Sequence, residues 1–126
     1  MKKYELTDET KINENGCRIY RIRALRNLDT WPEVKAGDLG GWVQYESNLS
    51  QSGACWIYDE AEVFDDACIG CDAEISMEAK VFENACVTGE SRVEDRAMVY
   101  GKSSVCDGPI ITGDCRISGN ALILGY

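Results

Sequence analysis

Cys55-Trp56-Ile57-Tyr58-Asp59-Glu60, Ala61-Glu62-Val63-Phe64-Asp65-Asp66 and Ala67-Cys68-Ile69-Gly70-Cys71-Asp72 are three consecutive six-residue stretches with one pattern. A small residue opens each, a β-branched aliphatic stands two places on, and a polar pair closes it. The pattern then runs on without a gap. Its opening position holds Cys55, Ala61, Ala67, Ala73, Ala79, Ala85, Ser91, Ala97, Ser103, Pro109, Cys115 and Ala121. The aliphatic position holds Ile or Val in every unit from Ile57 to Ile123. No helix repeats every six residues, and a lone strand alternates only over its own length. A short strand with two inward side chains followed by a tight corner does repeat every six. The corners read Asp59-Glu60, Asp65-Asp66, Gly89-Glu90, Gly101-Lys102, Asp107-Gly108, Gly113-Asp114 and Gly119-Asn120, which is turn chemistry.

This is the hexapeptide repeat of a parallel β-helix. The aliphatic, with the small residue four places on, resembles the left-handed β-helix signature, which implies three hexads to an 18-residue coil, so twelve hexads predict about four coils. At a strand spacing of about 4.8 Å the prism would be only about 20 Å tall. Residues 18 apart should stack, and Phe64, Phe82 and Tyr100 form one such column. Cys68 and Cys86 form another.

Residues 1–48 lack the hexad. Lys3 to Ile12 and Cys17 to Leu28 read as two strands around the turn Asn13-Glu14-Asn15-Gly16. The expected division is therefore an N-terminal capping segment over 1–48, made of a β-hairpin and a lead-in loop, and a β-helix over 49–126. The cap would cover the first coil, whose backbone groups otherwise form an open sheet edge.

The run Val34-Lys35-Ala36-Gly37-Asp38-Leu39-Gly40-Gly41-Trp42-Val43, with Asn48-Leu49-Ser50-Gln51 and Cys55-Trp56-Ile57-Tyr58-Asp59, resembles a group of small bacterial and phage-associated hexapeptide-repeat proteins. These are often labelled acyltransferases from the repeat alone. The resemblance implies an all-β, left-handed parallel β-helix behind an N-terminal cap. It implies little about activity, since fold does not dictate function.

The charge balance narrows the function classes. The chain carries 22 acidic and 13 basic side chains, a formal net charge of −9, and no histidine. Such acidity argues against direct nucleic-acid binding, which needs a cationic footprint. The missing histidine removes the commonest general base and metal ligand. Hexapeptide acyltransferases use a histidine base on an acceptor held near acyl-CoA between subunits, and none is present to carry that role. The reading is therefore a protein without catalytic residues, cofactor or metal. An acyltransferase-like protein binding CoA or a nucleotide between subunits is the alternative.

Seven cysteines would suggest a disulfide framework in a secreted chain. The start, Met1-Lys2-Lys3, leads into polar Thr7, Asp8 and Glu9 rather than an apolar stretch, so no secretory signal is read, and a cytoplasmic, membrane-free protein with free thiols is expected. Cys68, Cys71, Cys86 and Cys106 lack the paired CxxC spacing of a zinc site.

Sorting the outward positions by face is the most informative step. One face carries Trp56, Tyr58, Glu74, Ser76, Arg92, Glu94, Ile110 and Thr112. A second carries Glu62, Phe64, Lys80, Phe82, Met98, Tyr100, Arg116 and Ser118. The third carries Cys68, Gly70, Cys86, Thr88, Ser104, Cys106, Leu122 and Leu124, without one charge. A flat, uncharged, small-residue surface is one that another flat surface can approach, so self-association to a dimer or trimer is expected there. Acidic corners stack beside it: Glu60, Asp65, Asp66, Asp72, Glu78, Glu83 and Glu90. They read as a rigid acidic surface offered to a protein partner or small ligand, with interference in a host system as one role.

Overall fold

The computed structural model describes residues 2–30 and 32–125; Met1, Trp31 and Tyr126 lie outside that account. Among the described residues, the regular elements apart from one 3-10 turn at Glu46–Asn48 are β-strands. Strands β1 (Tyr4–Ile12) and β2 (Arg18–Ala24) form an antiparallel hairpin, with Tyr4 opposite Ala24 and Ile12 opposite Arg18. Asn13 closes its turn, its carbonyl accepting from the Gly16 N–H at 3.0 Å and its side chain from the Cys17 N–H at 2.9 Å. Strand β3 (Leu39–Val43) pairs antiparallel with β2 and parallel with β5 (Glu62–Val63).

From β3 the chain winds as a parallel β-helix with three sheets. The first sheet stacks β3, β5, β8 (Lys80–Val81), β11 (Met98–Val99) and β14 (Arg116–Ile117), and the hairpin extends it at one edge. The second stacks β4 (Trp56–Ile57), β7 (Glu74–Ile75), β10 (Arg92–Val93) and β13 (Ile110–Ile111). The third stacks β6 (Cys68–Ile69), β9 (Cys86–Val87), β12 (Ser104–Cys106) and β15 (Leu122–Leu124). Pairing from Trp56 onward is in register at 18 residues, as in Ile57 with Ile75 and Val87 with Val105.

The inward pair of each hexad makes the core. Cys55, Ala61, Ala67 and Ala73 are buried, as are Ile57, Val63, Ile69 and Ile75. The small residue lies where the chain turns from one sheet to the next, inside the prism, and Ala61, Ala67, Ala73, Ala79 and Ala85 are all buried there. The corner residue two places before it sits in the left-handed region in hexad after hexad, at Asp59, Asp65, Cys71, Met77, Glu83 and Asp95 and at Gly53, Gly89, Gly101 and Gly113. Asp and Gly tolerate that conformation best, which explains the turn composition. At Gly53 a Cβ would also lie 2.4 Å from the Cys71 carbonyl oxygen.

The solenoid has about five turns rather than four. Val43 pairs with Val63 and Leu49 bridges to Ile69, both at a spacing of 20 residues. The extra turn escapes a strict six-residue register because eight positions, not six, separate Leu49 from Ile57. The additional two widen the corner at Ser50–Ala54. Asn48, fully buried, holds this irregular turn. Its side-chain oxygen accepts from the Gln44 and Tyr45 N–H groups, and its amide donates to the Asp65 and Ala67 carbonyls.

The start of the chain closes the end of the prism. Lys3, fully buried, donates from Nζ to the Cys55 carbonyl at 2.7 Å and the Gly53 carbonyl at 3.3 Å. The Tyr4 hydroxyl reaches the Leu49 carbonyl at 2.6 Å, and its ring meets Trp56 edge-on. A buried charge is tolerated only where such partners satisfy it. Among the described residues no helix is long and apolar enough to cross a membrane.

Candidate interaction faces

The three outward surfaces differ sharply in what covers them. On the first sheet, Phe64, Phe82 and Tyr100 stack in one column, with ring centroids 5.0 Å apart at each step and planes within 3° and 6° of parallel. The upper half of this face is not open. Ile19 and Trp42 pack with Phe64 and Phe82 as a second small core. The hairpin tip folds over it. Asn13 Nδ2 donates to Glu62 at 3.1 Å, Cys17 Sγ contacts the Asp65 carboxylate at 3.6 Å, and Lys80 lies 3.6 Å from Glu14. Trp42 is held between two cations, Lys11 4.5 Å and Arg21 4.3 Å from its ring centroid. Burial of outward-pointing Phe64 and Glu62 follows from this second contact of the cap.

The second sheet is charged and partly shielded. The Tyr58 hydroxyl donates to the Pro32 carbonyl at 3.0 Å, tying the loop after β2 across the face. Below it, Arg92 stands 3.7 Å from Glu74. Burial raises the Glu74 carboxyl above its ordinary range, Arg92 opposing this and Glu94 adding to it. A shallow groove beside them is lined by Asp29, Thr30, Asp72, Glu74, Glu90 and Arg92.

The third sheet presents Cys68, Gly70, Cys86, Thr88, Ser104 and Cys106 as a half-buried strip, continued by Leu122 and Leu124 at 61% and 57% exposure. The structure brings all eight residues onto one face, in parallel register: Cys68 with Cys86, Cys86 with Ser104, Ser104 with Leu122, and Cys106 with Leu124. Cys68 Sγ and Cys86 Sγ are 2.7 Å apart. Burial, and then the neighbouring Cys86, push the Cys68 thiol up to about 12. Among the described residues no group of three or more His, Cys, Asp or Glu side chains is arranged to hold a metal ion.

The acidic corners fall into two sets. Glu60 accepts from Arg21 at 3.0 Å and from the Trp42 indole at 3.2 Å. Burial works against its ionised form, and these hydrogen bonds outweigh it, so its carboxyl sits below the ordinary value. Asp65 accepts the Glu83 N–H, Glu83 the Gly101 N–H, and Asp72 the Ala54 N–H. These four carboxylates hold the solenoid together. Asp66, Glu78 and Glu90 are exposed and make no side-chain hydrogen bond among the described residues. Asp66 lines a surface groove of about 580 Å³ with Tyr45, Asn84 and Lys102.

Lys3, Asn48 and Tyr4 were not singled out from sequence. A lysine and an asparagine inside otherwise ordinary segments carry no local signal, and their roles appear only where the chain ends of the prism are assembled.

No family model matches the chain. Over 64 residues, 48% of its length, it is 36% identical to a protein named "Uncharacterized acetyltransferase YdcK" from Escherichia coli (strain K12). The match spans 20% of that protein, so the chain corresponds to about one fifth of the curated relative it matches. Repeat and solenoid together make this chain a hexapeptide-repeat β-helix protein, similar to that relative over about half of its own length.

Proposed function

We propose that this hexapeptide-repeat β-solenoid is a non-catalytic interaction protein. It self-associates through the third sheet and presents its exposed acidic corners to a protein or small-ligand partner. The observation that supports this reading is the contrast between faces. The strip from Cys68 to Leu124 has no charged side chain, whereas the first sheet carries Lys80 and Arg116 and the second Glu74, Arg92 and Glu94. Two copies meeting there would bury apolar Leu122 and Leu124 without stranding an ion, and burying unpaired ions is what most opposes association. Asp66, Glu78 and Glu90, which no internal bond consumes, would remain outside the contact and steer a cationic partner.

The test is mass in solution. The wild-type chain should run as a dimer or trimer by light scattering, and Thr88→Glu or Leu122→Asp should reduce it to a monomer. Arg92→Glu, on the second sheet, should leave the assembly intact. A wild-type monomer at the highest concentration reached would overturn the proposal.

A second reading rests on the acetyltransferase named in the E. coli relative. It places CoA or a nucleotide in a crevice between subunits. The chain supplies no histidine for such a reaction. Thermal shift with acetyl-CoA and with nucleotides separates the two readings: a rise in midpoint favours the second, no change the first.

A further inference from the structure

In-register parallel stacking does to cysteines what it does to the aromatic column: residues 18 apart are set side by side with parallel Cα–Cβ bonds. Cys68 and Cys86 are register partners on adjacent strands, β6 and β9. Adjacent strands lie about 4.8 Å apart, inside the roughly 4.4–6.8 Å Cα separation of a disulfide. Their sulfurs are 2.7 Å apart, roughly 0.7 Å beyond an S–S bond. Both residues are half-buried on the uncharged sheet, so a small oxidant has access from one side. The other five cysteines have no comparable sulfur partner among the described residues. Cys55 is buried against Lys3, Cys17 faces Asp65, and Cys71 and Cys115 are exposed.

We infer that Cys68 and Cys86 form a paired-thiol modification site that closes to an inter-turn disulfide with a peroxide-class oxidant, stapling the second turn of the solenoid to the third. One thiol loses its proton and attacks the peroxide. An S–O bond forms, the O–O bond breaks, and hydroxide leaves and takes up the proton as water. The second sulfur then displaces the sulfenic oxygen, forming the S–S bond, and its own proton leaves with that oxygen as a second water. Two thiols are oxidised by two electrons and one peroxide is reduced. The reaction depends on the thiolate, so the proton held by Cys68 makes closure slow near neutrality and faster as pH rises. The step is intramolecular and does not require self-association.

The experiment treats the wild-type chain and the Leu122→Asp chain, whose third sheet stays open whether or not two copies meet there, with stoichiometric hydrogen peroxide, followed by non-reducing peptide mapping. The expected product is a peptide containing Cys86 joined to one containing Cys68, with a mass loss of about 2 Da reversed by reductant. The link should persist in Cys71→Ser and vanish in Cys86→Ser. Serine already occupies the next position of that column at Ser104, so the Cys86→Ser fold is expected to hold. The oxidised chain should also melt a few degrees higher, because the staple restricts the unfolded state. Oxygen adducts on Cys68 or Cys86 without the link, or both thiols still alkylated after denaturation of the treated Leu122→Asp chain, would overturn the inference.

Discussion

The carboxylate of Asp59 accepts the backbone N–H of Met77, eighteen residues and one turn further on, at 3.1 Å. Both residues occupy the left-handed region, with φ of 58° and 59°. Asp95 repeats the contact two turns later with Gly113 at 2.9 Å. A corner N–H points along the prism axis, where the strand ladders do not reach it. The side chain of the corner below supplies the missing acceptor.

Replacing Asp59 by Ala should therefore cost about 1–2 kcal/mol, from the lost hydrogen bond and the poorer left-handed backbone. Asp59→Asn keeps an acceptor and a tolerated conformation, so it should cost less than half as much. Urea unfolding of the two variants checks the order. Equal losses would show that the carboxylate charge, rather than its acceptor geometry, matters.

Met77 is the opposite case: exposed, left-handed and apolar, with no bond from its side chain. Met77→Gly should stabilise the chain by about 0.5–1 kcal/mol by releasing the Cβ clash of that conformation, net of the added unfolded-state freedom. A rise in thermal midpoint is the expected reading.

Lys3 closes the top of the prism by donating to the Gly53 and Cys55 carbonyls, which accept from no other donor among the described residues. Lys3→Met keeps the stem and removes the donors, and should cost about 2–3 kcal/mol. Native-state hydrogen exchange should then quicken first near Ser52–Cys55. An unchanged midpoint would mean that those carbonyls are reached by water.

Alkaline pH should weaken the fold through Cys68. Its thiol is held up to about 12, first by burial and then by Cys86, against an ordinary value of 9.0. Between these values the unfolded chain holds fewer protons than the folded one, so the contribution is complete below pH 9 and is lost as pH rises toward 12. Under reducing conditions the wild-type stability should fall more steeply above pH 9 than that of Cys68→Ser. Parallel curves would remove Cys68 as the cause.

Phe64 is fully buried beneath the hairpin tip, so Phe64→Ala should cost about 3–5 kcal/mol. Tyr100, at the open end of the same stack, should cost clearly less when cut to Ala. Denaturant midpoints for the pair test whether the hairpin, rather than ring stacking alone, secures that column.

The strict period from Cys55 made the three-sided coil, its face assignments and the stacking of Phe64, Phe82 and Tyr100 readable from the residues. The fifth turn was hidden. Val43 and Leu49 belong to it, but the widened Ser50–Ala54 corner shifts them out of phase, and a count of hexads stops where the phase does. The role of the acidic corners was only half legible. Their turn chemistry is local, but their acceptance of an N–H eighteen residues away exists only once the coils are stacked.

The sequence by itself determined the winding, because a residue's place in the six-residue cycle decides whether it points inward, outward or into a corner. Only the tertiary structure decided that the hairpin tip would bury Phe64 and Glu62 and that Lys3 would plug the prism. Those outcomes depend on the path of an irregular cap and on contacts between distant segments. No local period encodes them, because their stabilisation appears only when separate parts of the chain close on one another.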